Sequence, residues 1–200
     1  MSGDTTRERI LEAAAPLFAT EGFAGASTRA IALAAGVNIA TLAYHFGDKQ
    51  GLYAALVDRT YGRMVAFDIP GEGEPDPEAR LRLIVLGLYR FARAHQVEVR
   101  VLLRHVLENR RLPEAVSAKW LGPLLGRVAA AFAPLGIPLD PDRMLALLSL
   151  NHLLVRYAIT EPEDLALFEP GTAGGDPHAV VAEHLADVAC RLLLRAGAAA

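Results

Sequence analysis

The chain is predicted to be all-α, with a three-helix N-terminal unit over residues 1–50 and a larger helical remainder over residues 51–200. Three observations predict it. Alanine, leucine and arginine are abundant while aromatics make up only 6% of the chain, and no run alternates β-branched with polar residues as a half-buried strand would. Apolar residues instead recur at three- and four-residue spacing along most of the chain. Clusters of Pro, Gly and Asp then break that pattern at 69–77, 134–140 and 161–176. With 52% apolar residues, a 200-residue chain can bury a substantial core as one large or two small domains, which excludes a disordered protein.

The first helix is expected over Thr5–Thr20, with Ile10, Ala14, Leu17 and Phe18 on one face. Pro16 lies inside it and removes one backbone hydrogen bond, so a kink or local irregularity is expected there. Ser27 or Thr28 opens the second helix by accepting a hydrogen bond from a first-turn amide. Ile31, Ala32 and Ala35 form its inward face, and Gly36 closes it in the left-handed conformation that a residue without Cβ adopts cheaply. Val37 turns inward at the corner. Asn38 caps the third helix, Ile39–His45, with Leu42 as its inward anchor and Phe46 just beyond its end. Asp48 starts a fourth helix that runs to about Phe67, with Leu52, Leu56 and Val57 inward.

A helix–glycine–helix corner alone is an ordinary feature of compact helical proteins. Here the outward positions of the third helix are Ile39, Ala40, Thr41, Ala43, Tyr44 and His45: small near the start and free of acid. Such a helix fits a major groove, where small side chains allow close approach to base edges. Arg29 can address guanine bidentately, Thr41 or Ile39 can touch a thymine methyl, and Lys49 beside Asp48 is a candidate phosphate contact. The formal net charge of −3 argues against binding DNA by bulk electrostatics. No Asp or Glu occurs from Gly22 to Gly47, however, so the reading segment itself does not repel phosphate. Helix starts and backbone amides can supply further phosphate contacts.

The segments RILEAAAPLFATEGF, STRAIALAAGV and ATLAYHFGDKQGLY, within Arg7–Tyr53, resemble the N-terminal domain of TetR-family transcriptional regulators. The resemblance covers the first quarter of the chain. It implies phosphate contacts from Thr28, Tyr44, His45 and Lys49, with Asn38, Ile39, Ala40, Thr41 and Arg29 facing the bases. It also implies residues 1–50 as a helix-turn-helix DNA-binding domain and residues 51–200 as a helical ligand-binding and dimerisation domain. The segment departs from the family at Ala43, where a tyrosine is usual. That ring's contact with the DNA backbone is absent here, and Tyr44 stands beside the gap. His45 also reads as a helix-end residue interacting with the dipole.

Further helices are expected at Pro77–His95, carrying Leu81, Ile84, Val85, Leu88 and Phe91, and at Gln96–Asn109, carrying Val99, Leu102, Leu103 and Val106. Another runs from Pro113 towards Phe132, with Pro123 and Gly126 as bends. Asp140 or Pro141 opens a helix over Asp142–Ile159, residues 161–176 are irregular, and Pro177–Arg195 is the last helix before fraying alanines. The two final long helices carry more than one apolar stripe, through Leu145, Leu148, Leu150, Leu153, Leu154 and Tyr157, then Val180, Val181, Leu185, Val188, Leu192 and Leu193. Pairing with a second copy accounts for this, as does burial within the chain. The resemblance favours the homodimer, joined through these two helices as a four-helix bundle.

Tyr89, His105, Trp120, Asn151, His152 and Arg156 are polar or aromatic groups on apolar helices, the composition a small-molecule pocket needs. Helical spacing also sets Asn109 beside His105. The expected function is a ligand-responsive, homodimeric DNA-binding regulator, a repressor released from a palindromic operator by a small-molecule effector. The alternative is a helical small-molecule-binding module or enzyme without sequence-specific DNA binding. No catalytic motif, no metal-ligand spacing and no cofactor signature is present, so catalytic residues, metal and cofactor are expected to be none. Cys190 is the sole cysteine, which excludes an internal disulfide. No leader and no apolar run long enough to span a bilayer is seen, so a cytoplasmic protein without a membrane partner is expected.

Overall fold

A computed structural model describes residues 2–109, 117–167 and 175–194. Among them every regular element is helical. They form two compact units, one made of residues 1–66 with 97–123 and one of 67–96 with 124–200. Residues 50 and 51, the expected boundary, both lie inside one helix.

The first unit begins with α1 (Ser2–Gly25), α2 (Thr28–Ala34), α3 (Ile39–Phe46) and α4 (Lys49–Ala66). In α1 the backbone leaves helical φ/ψ at Gly22 (φ 73°, ψ 178°) and not at Pro16, where the irregularity was expected. The helix also extends beyond the expected Thr20. Pro16 lies on the exposed side of α1. The actual break favours glycine because residues with a Cβ rarely adopt a φ of 73°; an added Cβ would also meet the movable end of Arg104, 2.6 Å from Nε. Arg104 in turn donates to the Thr20 carbonyl at 2.9 Å and so holds the turn before the break.

Ile10, Ala14 and Phe18 of α1, Ile31, Ala32 and Ala35 of α2, Leu42 of α3, and Leu52, Leu56 and Val57 of α4 are all buried. Fully burying side chains of leucine or isoleucine size stabilises by about 1.5–3 kcal/mol each, so this shared core fixes the angles between the short helices. Leu17 is only half-buried. The rest of the unit holds most of α6 (Gln96–Asn109) and a π-helical turn, Ser117–Leu121, that packs on α4. In α6 the expected stripe is displaced: Val101 is the buried residue, whereas Val106 is 40% exposed. Arg59 of α4 meets Glu8 of α1 at 3.0 Å and Glu98 of α6 at 3.8 Å, and Arg63 meets Glu98 at 2.9 Å.

The second unit contains α5 (Pro77–Ala94), most of α7 (Gly122–Phe132), α8 (Pro141–Ala158), the one-turn α9 (Pro162–Ala166) and α10 (Pro177–Leu193). The aspartates Asp76, Asp140 and Asp176 cap α5, α8 and α10, each followed by proline in the first turn, where its missing N–H is not needed. The expected single helix towards Phe132 is instead a π turn followed by α7, with Pro123 accommodated in the first turn of the latter. Residues 161–176 are not wholly irregular: Pro162 at the helix start and Glu163 and Asp164 in the first turn favour α9. Pro113, the side chain of Asn109, residues 168–174 and the terminal alanines lie outside the described residues.

α10 packs against α5 and α8 around Leu81, Ile84, Tyr89, Leu150, Leu185 and Leu193. The apolar residues of α8 and α10 divide into two sets. Leu150, Leu185 and Leu193 enter this core, while Leu145 (63%), Leu148 (51%), Leu153, Val180 and Leu192 are exposed. Cys190 is buried. No described helix is long and apolar enough to cross a membrane.

Candidate functional site

The corner between α2 and α3 is built from local hydrogen bonds. Ser27 Oγ accepts from the Arg29 amide at 3.2 Å, so Ser27 rather than Thr28 is the cap. At the other end Gly36 (φ 62°) lets the amides of Gly36 and Val37 donate to the carbonyls of Leu33 and Ala32, at 3.1 and 3.0 Å. Asn38 Oδ1 then accepts from the Thr41 amide at 2.7 Å and from the Thr41 hydroxyl at 2.9 Å. At the start of α3, Asn38, Ile39 and Ala40 are exposed, whereas Thr41 is half-buried with its hydroxyl donating to the cap.

Leu42 is 2% exposed and ties α3 to the core. The opposite side carries Ile39, 52% exposed, and Tyr44, 85% exposed, which is a large aromatic with nothing over it. Ala43 is exposed beside Tyr44, and His45 is half-buried, its ring edge-on to Tyr44 at 5.3 Å between centroids. Phe46 closes the helix under the Arg7 guanidinium, 5.3 Å from the ring. Arg29 is exposed at the start of α2, Thr28 is half-buried beside it, and among the described residues no carboxylate pairs with Arg29.

Lys49 is placed differently from a free phosphate ligand. Its ammonium donates to the carbonyls of Ala24 and Ala26 at 3.2 and 3.3 Å and lies 4.8 Å from the Phe23 ring centre. It thereby closes the end of α1 onto the start of α4. Asp48 Oδ1 caps α4 by accepting from the Gly51 amide at 2.8 Å.

The six effector candidates do not form one cluster. His105 and Trp120 belong to the first unit. His105 Nδ1 lies 3.2 Å from the Tyr53 hydroxyl, and Trp120 Nε1 donates to Asp58 at 2.7 Å, where Lys119 also binds. Burial lowers the His105 pKa and pushes Tyr53 up to about 12, so the pair is a neutral imidazole and a neutral phenol. The other four belong to the second unit. Asn151, His152 and Arg156 are exposed along α8, with Arg156 donating to the Thr160 hydroxyl. Tyr89 lines a pocket of about 520 Å³, whose other walls include Arg90, Arg93, Pro162 and His178. The last three and Arg90 were not singled out from the sequence. The signal available there was Leu86, Arg90 and Arg93 recurring at helical spacing around Tyr89.

The family model of bacterial regulatory proteins of the tetR family matches residues 10–56. Over that span the chain is similar to this family. The match covers α1, α2, α3 and the first part of α4, the elements that carry the corner. Among curated TetR-type relatives, YttP of Bacillus subtilis is 28% identical over 120 residues, 58% of each chain. The HTH-type transcriptional repressor NicS of Pseudomonas putida is 30% identical over 100 residues, 50% of this chain and 47% of NicS. The chain thus spans about half the length of the curated relatives it matches. In fold it is similar to SCO4942 from Streptomyces coelicolor, with TM-score 0.66 and 24% identity over 95% of this chain and 99% of that one.

Proposed function

We propose that the protein is a homodimeric, ligand-responsive transcriptional repressor that leaves a palindromic operator when a small molecule binds. Residues 1–50 act as the DNA-binding domain and residues 51–200 as the ligand-binding and dimerisation domain. The observation that carries this is the outward face of α3: exposed from Asn38 to Ala40 and at Ala43 and Tyr44, acid-free, and rigidly capped. Arg29 reads guanine, which is worth about 1–3 kcal/mol of discrimination for a bidentate contact. Asn38, Ile39, Ala40 and Thr41 line the base edges, and Thr28, Tyr44 and His45 meet phosphate. Lys49 meets phosphate only by giving up its bonds to Ala24 and Ala26.

The exposed apolar residues of α8 and α10, Leu145, Leu148, Leu153, Val180 and Leu192, support self-association, since apolar surface gains by leaving water. Two copies then present two α3 helices to successive major grooves, about 34 Å apart. An effector that binds one conformation of the remaining chain better than the other changes DNA affinity by that difference. The match of residues 10–56 to the family model and the naming of the similar NicS as a repressor support the direction of control. The test is fluorescence anisotropy with a duplex recovered from a random pool. Arg29→Ala and Thr41→Ala are each expected to weaken binding and relax sequence preference, and unchanged affinity and preference in both would remove α2 and α3 from the reading face.

A further inference from the structure

The pocket of the second unit has a composition that the regulatory reading does not require. Tyr89 and His178 meet on its wall, hydroxyl to Nδ1, at 2.7 Å. Burial pushes the Tyr89 phenol up to about 12, so it keeps its proton. Burial, with the Arg93 charge adding to it, lowers the His178 pKa, which favours a neutral ring. His178 is 7% exposed, and Nε2 is closed off from water with no hydrogen-bond partner among the described residues. A buried polar atom left in that state is costly and is rarely kept without a reason.

The cations of the pocket are also short of partners. Arg93 donates to two neutral acceptors, the Ala158 carbonyl at 2.9 Å and Gln96 Oε1 at 3.4 Å. Arg90 is exposed on the same face of α5, and no described carboxylate pairs with it. Of the two acids on the rim, Asp176 accepts from the His178 amide at 3.0 Å, and Glu183 is paired with Arg82 at 3.3 Å. The remaining lining is apolar, through Leu86, Ala179 and Ala182. We infer that this pocket binds a small organic carboxylate with an apolar body, its head between Arg90 and Arg93 beside the His178 ring and its body on Leu86 and Ala182. A guanidinium fork matches a carboxylate in two parallel hydrogen bonds, and about 520 Å³ suits a small molecule. The inference rests on the proposed regulatory reading only for its consequence at DNA; binding itself is independent of it.

Calorimetric titration of the full-length protein with octanoate, octanamide and inorganic phosphate tests the assignment. Octanoate is expected to saturate one site per chain at or below millimolar concentration, with octanamide and phosphate each weaker by about tenfold or more. Arg90→Gln, an exposed change that leaves the core intact, is expected to weaken octanoate by about tenfold while leaving octanamide unchanged. Octanoate that fails to saturate, octanamide or phosphate binding as well as octanoate, or Arg90→Gln binding octanoate like the parent protein would each overturn the site. Duplex affinity measured on the same samples separates the two readings. Intact duplex binding without octanoate binding removes only the carboxylate site, whereas octanoate binding without duplex affinity leaves the site standing and removes the regulatory reading.

Discussion

Gly51→Ala is a substitution for which helix propensity and packing predict opposite signs. Gly51 lies in the first turn of α4, and replacing a helical glycine by alanine ordinarily stabilises by about 0.8–1 kcal/mol. Here an added Cβ would stand 2.1 Å from the Phe46 carbonyl oxygen, at the end of α3. That oxygen is a backbone atom and also accepts from the Asp48 amide at 3.0 Å, so it cannot swing aside as a side chain would. Overpacking of this kind costs about 1–3 kcal/mol, and loss of the Asp48 hydrogen bond adds about 1 kcal/mol. After subtracting the propensity gain, a net destabilisation of about 1–3 kcal/mol is expected. Gly62→Ala is the internal control, because it lies in the same helix with its Cβ at an ordinary 3.4 Å from the Trp120 side chain. Urea unfolding followed by circular dichroism is expected to show a lower midpoint for Gly51→Ala and an unchanged or higher one for Gly62→Ala. A Gly51→Ala protein as stable as Gly62→Ala would refute the close approach of α3 to α4 on which the presentation of α3 depends.

Other perturbations test separate parts of the account. Asn38→Ala removes the acceptor of two Thr41 hydrogen bonds and is expected to cost about 1 kcal/mol in urea unfolding; an unchanged midpoint would contradict the cap. Leu148→Glu places a charge in the exposed stripe of α8 and is expected to yield a monomer by sedimentation, with a persisting dimer ruling out that face. His178 and His105 are both held below the ordinary value of 6.5, chiefly by burial, so the unfolded chain takes up their protons first as pH falls. Their contribution to stability is therefore complete above about pH 6.5 and is lost as pH falls through the lower folded-state values. His178→Gln is expected to flatten the fall in urea midpoint between neutral pH and about pH 5, and an equally steep fall in that variant would contradict its neutral, buried state.

Features written in neighbouring residues were legible in the sequence. The caps of α3, α4 and α8 each depend on a side chain meeting an amide three positions on, and Gly36 closes α2 through its own φ. Leu42, Ile31 and Phe18 follow from helical period alone. Features set by distant partners were not. Lys49 is held by carbonyls 23 and 25 residues away, and Tyr89 meets a histidine 89 residues away, so neither role has a local signature. Pro16 has an obvious local meaning that its exposed position accommodates, whereas the turn before the break at Gly22 is held by Arg104, far along the chain. In α6 the helical period is legible but the depth of burial is not: Val99, Leu102 and Leu103 are half-buried and Val101 is the buried residue, because these four leave little contrast between faces.

The central claim is that α3 enters a DNA groove, and in a dimer does so twice. Repeated selection of bound duplexes from a random pool, followed by sequencing, measures this most directly. Enrichment of a two-fold symmetric sequence, with half-site centres about one helical turn apart and loss of enrichment for Arg29→Ala, is the predicted result. A pool that stays random through successive rounds, or an enriched sequence that Arg29→Ala and Tyr44→Ala select equally well, would contradict it.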